Sequence, residues 1–305
     1  MLSLKKLRLI TLSENTAKWL WVLGEWGWSM LIEADGLRLL FDTGLRMAAK
    51  NNAAVMGEDL KKIDKILLSH GHLDHTGGLR DILLLAGTET GKTNIIDRNE
   101  RNMEIICHPD VWGPKYVKHP GDKEYSFAGI PFCRAELEQR GGARFTESKK
   151  PVWITDDMVW SGEIPMINDY ERITPICFIK NKADAGPGDD SAFGPDPVTD
   201  DAALYIKTDQ GLVIILGCGH HGIINTIHHA QKVTGMEEIH TVAGGTHLVD
   251  ATENQLEKVI AELKRLKVKK LGVSHCTGAA PSAKLSDALG TDVFFYNNSG
   301  NVISY

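Results

Sequence analysis

The sequence predicts an α/β (α+β) fold built from two halves, each a run of strands followed by helices. Three observations carry this. Strand-like segments separated by turn signals occupy residues 6–41 and again residues 203–216. Helix and strand patterns then alternate in each half, and two such halves fit a pseudo-symmetric αββα sandwich. Histidines recur where apolar, strand-like runs end, at His70, His220, His247 and His275, so one edge of the sheets should collect them.

The elements follow in order. Lys6 to Leu12 reads as the first strand. Ser29 to Glu33 and Leu37 to Phe41 pair around the turn Ala34-Asp35-Gly36. The tryptophan-rich segment from Trp19 to Trp28 is expected in core and edge packing, with an aromatic wall for a flat ligand as the alternative. Leu79, Ile82, Leu83 and Ala86 have helical spacing. Thr88 to Arg101 is polar and reads as a loop, and Met103 to Cys107 as a short strand ending at His108-Pro109.

From Asp110 to Arg172 the pattern is broken by Pro and Gly, with short strands near Val152-Trp153-Ile154 and Met158-Val159-Trp160. Asn181 to Asp201 holds three Pro, three Gly and six Asp, which predicts a mobile loop with solvated carboxylates. Ala203 to Thr208 and Leu212 to Leu216 form a hairpin around Asp209-Gln210-Gly211. After Asp250, Thr252 and Gln255 can form a capping box. Leu256, Val259, Ile260, Leu263 and Leu266 make one apolar helix face.

Bulk properties set bounds. With 305 residues, 42% of them hydrophobic, the chain can bury one large core or two smaller ones. A net charge of −6 argues against a broad nucleic-acid surface. Five scattered cysteines without a C-x-x-C pair fit a reducing cytoplasm. No secretory h-region or bilayer-length apolar run is seen, so no membrane is expected. Whether the chain forms a homo-oligomer is open.

The chemistry concentrates in Ser69-His70-Gly71-His72-Leu73-Asp74-His75, directly after Ile66-Leu67-Leu68. Side chains repeat every two residues in extended chain, so His70 and His72 point the same way and can face one cation. The chain then turns, and Asp74 and His75 can face a second. Such nitrogen and carboxylate ligands suit two divalent ions, Zn²⁺ first, with Fe or Mn as alternatives. Asp42, at the end of a strand, can hold a ligand imidazole through its free N–H or anchor the loop below.

One motif cannot complete two metal sites. His220 and His275 are the further ligand candidates. His247 is a ligand or a substrate contact, and Asp74 and His247 are the catalytic candidates. Cys218 and His108 stand outside as further candidates, His108 with a structural role expected. His221, His228, His229 and His240 are expected not to bind metal. Two ions sharing a water would lower its pKa, so that a hydroxide attacks an ester, lactone or phosphoester-type bond.

The pattern H-x-H-x-D-H at His70–His75, with F-D-T-G at Phe41–Gly44, resembles the signature of the metallo-β-lactamase superfamily. The resemblance implies a four-layer αββα sandwich with the metals at one edge. It also implies a single domain over 1–305 with a substrate-cover insertion at roughly 109–201. Many members of the superfamily place a bridging Asp at the strand end where this chain has Cys218. The combination of G-C-x-H-x-G-I from Gly217, G-G-x-H-L from Gly244, S-H-C-T-G from Ser274 and S-G-E-I-P from Ser161 is narrower. It resembles the branch that includes the archaeal dihydropterin-methyl-ribofuranosylaminobenzene phosphate synthase, implying a phosphorylated or pterin-like substrate and a pterin-forming synthase as the alternative activity. That branch usually has Arg after this Pro, where this chain has Met166. A diiron oxidoreductase and a non-catalytic binding protein are the remaining readings.

Overall fold

The computed structural model describes residues 1–87, 102–181 and 190–305. The polar stretch from Thr88 to Arg101 lies outside the described residues, as does 182–189 within the Asp-rich segment.

Two seven-stranded sheets form the centre. The first runs in space as β18 (Val302–Ser304), β1 (Leu7–Ser13), β2 (Ser29–Ala34), β3 (Leu37–Phe41), β4 (Lys65–Leu67), β5 (Met103–Cys107) and β8 (Ala143–Glu147). The second runs as β17 (Phe294–Tyr296), β16 (Lys270–Ser274), β15 (Ile239–Gly245), β14 (Gly211–Leu216), β13 (Ala203–Thr208), β10 (Met158–Trp160) and β9 (Val152–Thr155). A small sheet of β12 (Phe193–Pro195), β11 (Cys177–Lys180), β6 (Lys115–Val117) and β7 (Ser126–Phe127) lies apart from them. The sequence between 109 and 201 therefore divides among three sheets, and only part of it makes the small one.

Period-two burial explains the layering. Along β2, Met30 and Ile32 face the partner sheet, joining Leu9, Phe41, Leu204, Val213 and Ile215 in the central core. Leu31 faces outward to α1 (Ala48–Val55), α3 (Leu79–Ala86) and α4 (Arg134–Gly141). On the other side, Ile214, Val242 and Val273 pack on α5 (Ile223–Thr234), α6 (Glu253–Arg265) and α7 (Ala279–Leu289). The result is the αββα sandwich. Thr252 Oγ accepts from the Gln255 N–H at 3.2 Å and starts α6.

Strand direction places the site. In the first sheet β3, β4, β5 and β8 are parallel, and in the second β14, β15, β16 and β17 are. Parallel strands put their carboxyl ends on one edge, where ligands of open α/β sheets bind. Asp42 follows β3, His70 follows β4, Cys218 follows β14, His247 follows β15 and His275 follows β16.

Two expectations are corrected. Of the tryptophans in this segment only Trp28 is buried, while Trp19, Trp21 and Trp26 are exposed. The reason is local: residues 15–28 form no strand, and Trp28 alone directly precedes β2 and reaches the core. The described part of the Asp-rich segment is not a solvated loop either. Asp196, Asp200 and Asp201 are buried. Lys115 reaches Asp200 at 2.8 Å and Asp196 at 3.2 Å, so two of the carboxylates have a buried counter-charge.

Candidate metal centre

The His70 loop is held from beneath by Asp42. Its Oδ1 accepts the Ser69 N–H at 2.7 Å, and its Oδ2 accepts the Ser69 hydroxyl at 2.6 Å. The same Oδ2 lies 2.7 Å from His75 Nδ1. One carboxylate thus fixes the loop backbone and aims the His75 ring, leaving Nε2 free to face the site. Ser69 Oγ also lies 2.8 Å from His70 Nδ1, so His70 likewise presents Nε2. Asp42 sits in the left-handed region at φ 58°, a strained setting that this network holds in place.

α2 (Leu73–Thr76) turns the chain straight after His72 and carries Asp74 and His75 round to a second position. Gly71 cannot be replaced without backbone movement: a Cβ there would lie 2.3 Å from the Val111 carbonyl. From the opposite sheet, β14 delivers Cys218 and, after Gly219 at φ +62°, His220. β15 delivers His247 and β16 delivers His275, both at positive φ.

Four groups of potential ligand atoms converge, each within 4.8 Å: His70 with His72 and His220; Asp74 with His75 and His275; His70 with His75 and Cys218; and Cys218 with His275 and Cys276. The first adds His220 to the His70 and His72 pair, and the second adds His275 to the Asp74 and His75 pair. Cys218 belongs to two groups and lies between them, with its sulfur 3.1 Å from His75 Nε2. It occupies the strand end at which this chain departs from the bridging Asp of many superfamily members.

The donor set fits metal ions. His70 Nε2 and His220 Nε2 face each other at 3.3 Å. Two Zn–N bonds of about 2.05 Å at a tetrahedral angle place their nitrogens about 3.3 Å apart. His72 Nε2 is buried with no hydrogen-bond partner, which is costly unless a cation takes it. Burial, followed by the neighbouring charges, holds His70 and His220 well below the usual histidine range and His72 at about 3, so all three are neutral and able to ligate. Burial also works against a charged His75, but Asp42 and Asp74 outweigh it and raise that ring to about 9. Burial alone would raise Asp74; His75 and His275 instead keep it well below the usual carboxylate range. Its Oδ2 lies 3.1 Å from His275 Nε2.

The other candidates fall as follows. His247 has its ring centroid 4.3 Å from that of His220 and lines the cavity above the cluster. His108 is not brought to the cluster. It ends β5 on the outer side, where Nδ1 accepts the Asp110 N–H and Nε2 lies 3.0 Å from Glu163. His221 points away, with its ring between the carbonyl oxygens of Ile164 and Pro197. His228 and His229 lie in α5, and His240 lies in β15.

A cavity of about 300 Å³ opens over the cluster. His72, Asp74, Cys218, His220, His247 and His275 form its floor, with Leu45, Leu73, Val117, Phe127 and Ile176 as an apolar wall. Trp26 stands at its side, 5.2 Å edge-on from the His275 ring. Phe127, Val117 and Ile176, all in or beside the small sheet, had no sequence signal. Asn15 and Glu14 were also missed. Asn15 Oδ1 lies 2.8 Å from His275 Nδ1, and Glu14 accepts the His275 N–H at 2.9 Å. Both follow the first strand as ordinary polar residues.

Comparison with known proteins agrees with this geometry. Residues 27–101 match the family model described as the metallo-beta-lactamase superfamily. The 7,8-dihydropterin-6-methyl-4-(beta-D-ribofuranosyl)-aminobenzene-5′-phosphate synthase of Methanocaldococcus jannaschii is 30% identical over 284 residues, covering 89% of this chain and 88% of the relative. The chain belongs to the metallo-beta-lactamase superfamily. An uncharacterised protein of the same organism is 29% identical over 278 residues, covering 91% of this chain and 92% of its own length. Among solved structures of this superfamily, a metal-dependent hydrolase is 23% identical with a TM-score of 0.75, covering 98% of this chain and 99% of the other. The metallo-beta-lactamase fold protein YhfI from Bacillus subtilis gives a TM-score of 0.56 at 13% identity, covering 98% and 99%. Superfamily membership and the synthase relative together make this chain an enzyme. No helix among the described residues is long and apolar enough to cross a membrane.

Proposed function

We propose that the protein is a binuclear metal-dependent enzyme that hydrolyses an ester, lactone or phosphoester-type bond in a small molecule. The observation that carries this is the pair of three-residue groups, one all-imidazole and one mixed, two members of each of which (His72 and His220, Asp74 and His275) line one cavity. His70, His72 and His220 would hold one divalent ion, and Asp74, His75 and His275 the other, with Cys218 between them. Zinc suits this donor set, and Fe or Mn can also occupy it. Bound there, the ions supply Lewis-acid polarisation and a water of lowered pKa.

The chain's own residues do the rest. Asp42 and Ser69 fix the tautomers of His75 and His70. The apolar wall holds the body of the substrate and keeps bulk water from the reacting centre. His247, at the cavity side of His220, meets the substrate and moves a proton at its ring nitrogen.

A second reading is a pterin-forming synthase, favoured by the relative that aligns over most of both chains. The two are separated by one experiment. The metal-loaded protein is assayed on a generic phosphodiester, a lactone and a dihydropterin condensation, each beside His72→Ala. Turnover of the phosphodiester or lactone that is lost in His72→Ala supports the hydrolase. Condensation without hydrolysis supports the synthase, and no metal-dependent turnover of any of the three counts against both.

A further inference from the structure

Two neighbouring carboxylates, Asp200 and Asp201, lie beneath the metal centre and touch none of its ligand side chains. Asp200 Oδ2 accepts the N–H of Gly71 at 2.7 Å, and Gly71 separates His70 from His72. Asp201 Oδ2 accepts the N–H of His221 at 2.9 Å, and His221 follows His220. The two histidine-bearing turns come from different sheets, after β4 and after β14. The carboxylates are adjacent in the chain, and the next residue, Ala202, donates its N–H to the Ser69 carbonyl at 2.9 Å.

We infer that Asp200 and Asp201 form a tandem clamp that sets the spacing between the His70–His72 turn and the His220 turn, and thereby the geometry of the three-histidine metal group. This rests on the reading of those three histidines as metal ligands.

Asp200 has a buried counter-charge. Asp200 pairs with the buried Lys115 at 2.8 Å, and Lys115 also reaches Asp196 at 3.2 Å. Lys115 begins β6, whose next residues lead to Val117 on the cavity wall. The clamp therefore also ties the small sheet to the metal loop. Asp201 is held through the His221 backbone N–H, while the His221 ring is turned to the carbonyl oxygens of Ile164 and Pro197. A buried carboxylate that accepts a backbone N–H and faces a cation, as Asp200 does, holds its position tightly, because every alternative leaves a charge unpaired in a low-dielectric setting. Asp200, Asp201 and Lys115 are positioning residues: they touch no reacting atom.

The test is zinc affinity by chelator competition on the full-length protein, with thermal melting of the metal-free forms in parallel. Asp200→Asn and Asp201→Asn are each expected to weaken one of the two zinc ions about 10- to 100-fold, the loss found when groups supporting metal ligands are removed. The ion at Asp74, His75 and His275 should keep its affinity. Asp200→Glu retains the charge against Lys115, and so the fold, but moves the acceptor by one methylene; the same selective loss is expected. A merely structural role would lower the melting temperature and leave zinc affinity of the folded protein unchanged. His220→Ala serves as the control. Wild-type zinc affinity in the Asp200 and Asp201 variants, with a loss in His220→Ala, overturns the clamp alone. Wild-type zinc binding in His220→Ala overturns the metal reading and the clamp with it.

Discussion

His70 Nε2 and His220 Nε2 face one another at 3.3 Å, although one ring follows a strand of the first sheet and the other a strand of the second. Two acceptor-capable nitrogens at that separation need a proton or a cation between them. Both rings are buried and kept neutral by that burial, and Ser69 holds the far nitrogen of His70. The inter-sheet seam is thus closed at this edge by imidazoles.

His220→Ala is expected to lose bound metal and activity. His221→Ala should retain metal, because its ring is turned to the Ile164 and Pro197 carbonyls. It is instead expected to lower the melting temperature, through the loss of those two ring contacts. Elemental analysis and thermal melts on both variants decide it. Metal lost from His221→Ala and kept by His220→Ala would reverse the assignment.

Asp42→Asn keeps the shape of the side chain but can no longer accept from both Ser69 and His75 as a carboxylate does. Metal affinity is expected to fall about 10- to 100-fold with the fold intact. Chelator competition measures the first and far-ultraviolet circular dichroism the second. Unchanged affinity would remove Asp42 from the account.

Glu171 is buried at the start of α5, where it accepts the N–H groups of Ile224 and Asn225, both at 2.9 Å. These are donors that the helix itself cannot satisfy. Glu171→Ala is expected to cost about 2 kcal/mol in urea unfolding. A change under about 0.5 kcal/mol would show that water replaces the carboxylate at no loss.

His229 gives a pH signature away from the metals. Burial, with the nearby charge of Lys232, lowers it from 6.5 to about 4, and its Nδ1 lies 2.9 Å from the Tyr205 hydroxyl. Its folded-state value lies below the unfolded one, so the unfolded chain binds the proton first as pH falls. Its contribution to stability is complete above pH 6.5 and declines down to about pH 4. The melting temperature of the metal-free protein should therefore exceed that of His229→Gln by more at pH 7.5 than near the lower limit. A difference independent of pH would contradict it.

Much of this was legible in the sequence, for identifiable reasons. His70, His72, Asp74 and His75 could be read because four ligand-type side chains in six residues at a strand end have few other uses. The hairpin of β13 and β14 and the helix α6 followed from turn chemistry and period. The small sheet was missed because its strands are two to four residues long and β6 pairs with β11 across as many as 64 residues, leaving no period to detect. Asp200 was taken for a solvated group because its counter-charge, Lys115, is 85 residues away in the sequence. Composition marked the segment as polar, and only the fold supplied the buried cation. The tryptophans failed in the opposite sense: their composition suggested burial, and the absence of a strand between residues 15 and 28 left three of them at the surface.

The central claim is that two metal ions sit side by side in this cavity, and anomalous scattering from crystals of the metal-loaded protein tests it most directly. The account expects two peaks, one bounded by His70, His72 and His220 and the other by Asp74, His75 and His275. No peak at this edge, in protein that elemental analysis shows to carry metal, would contradict it.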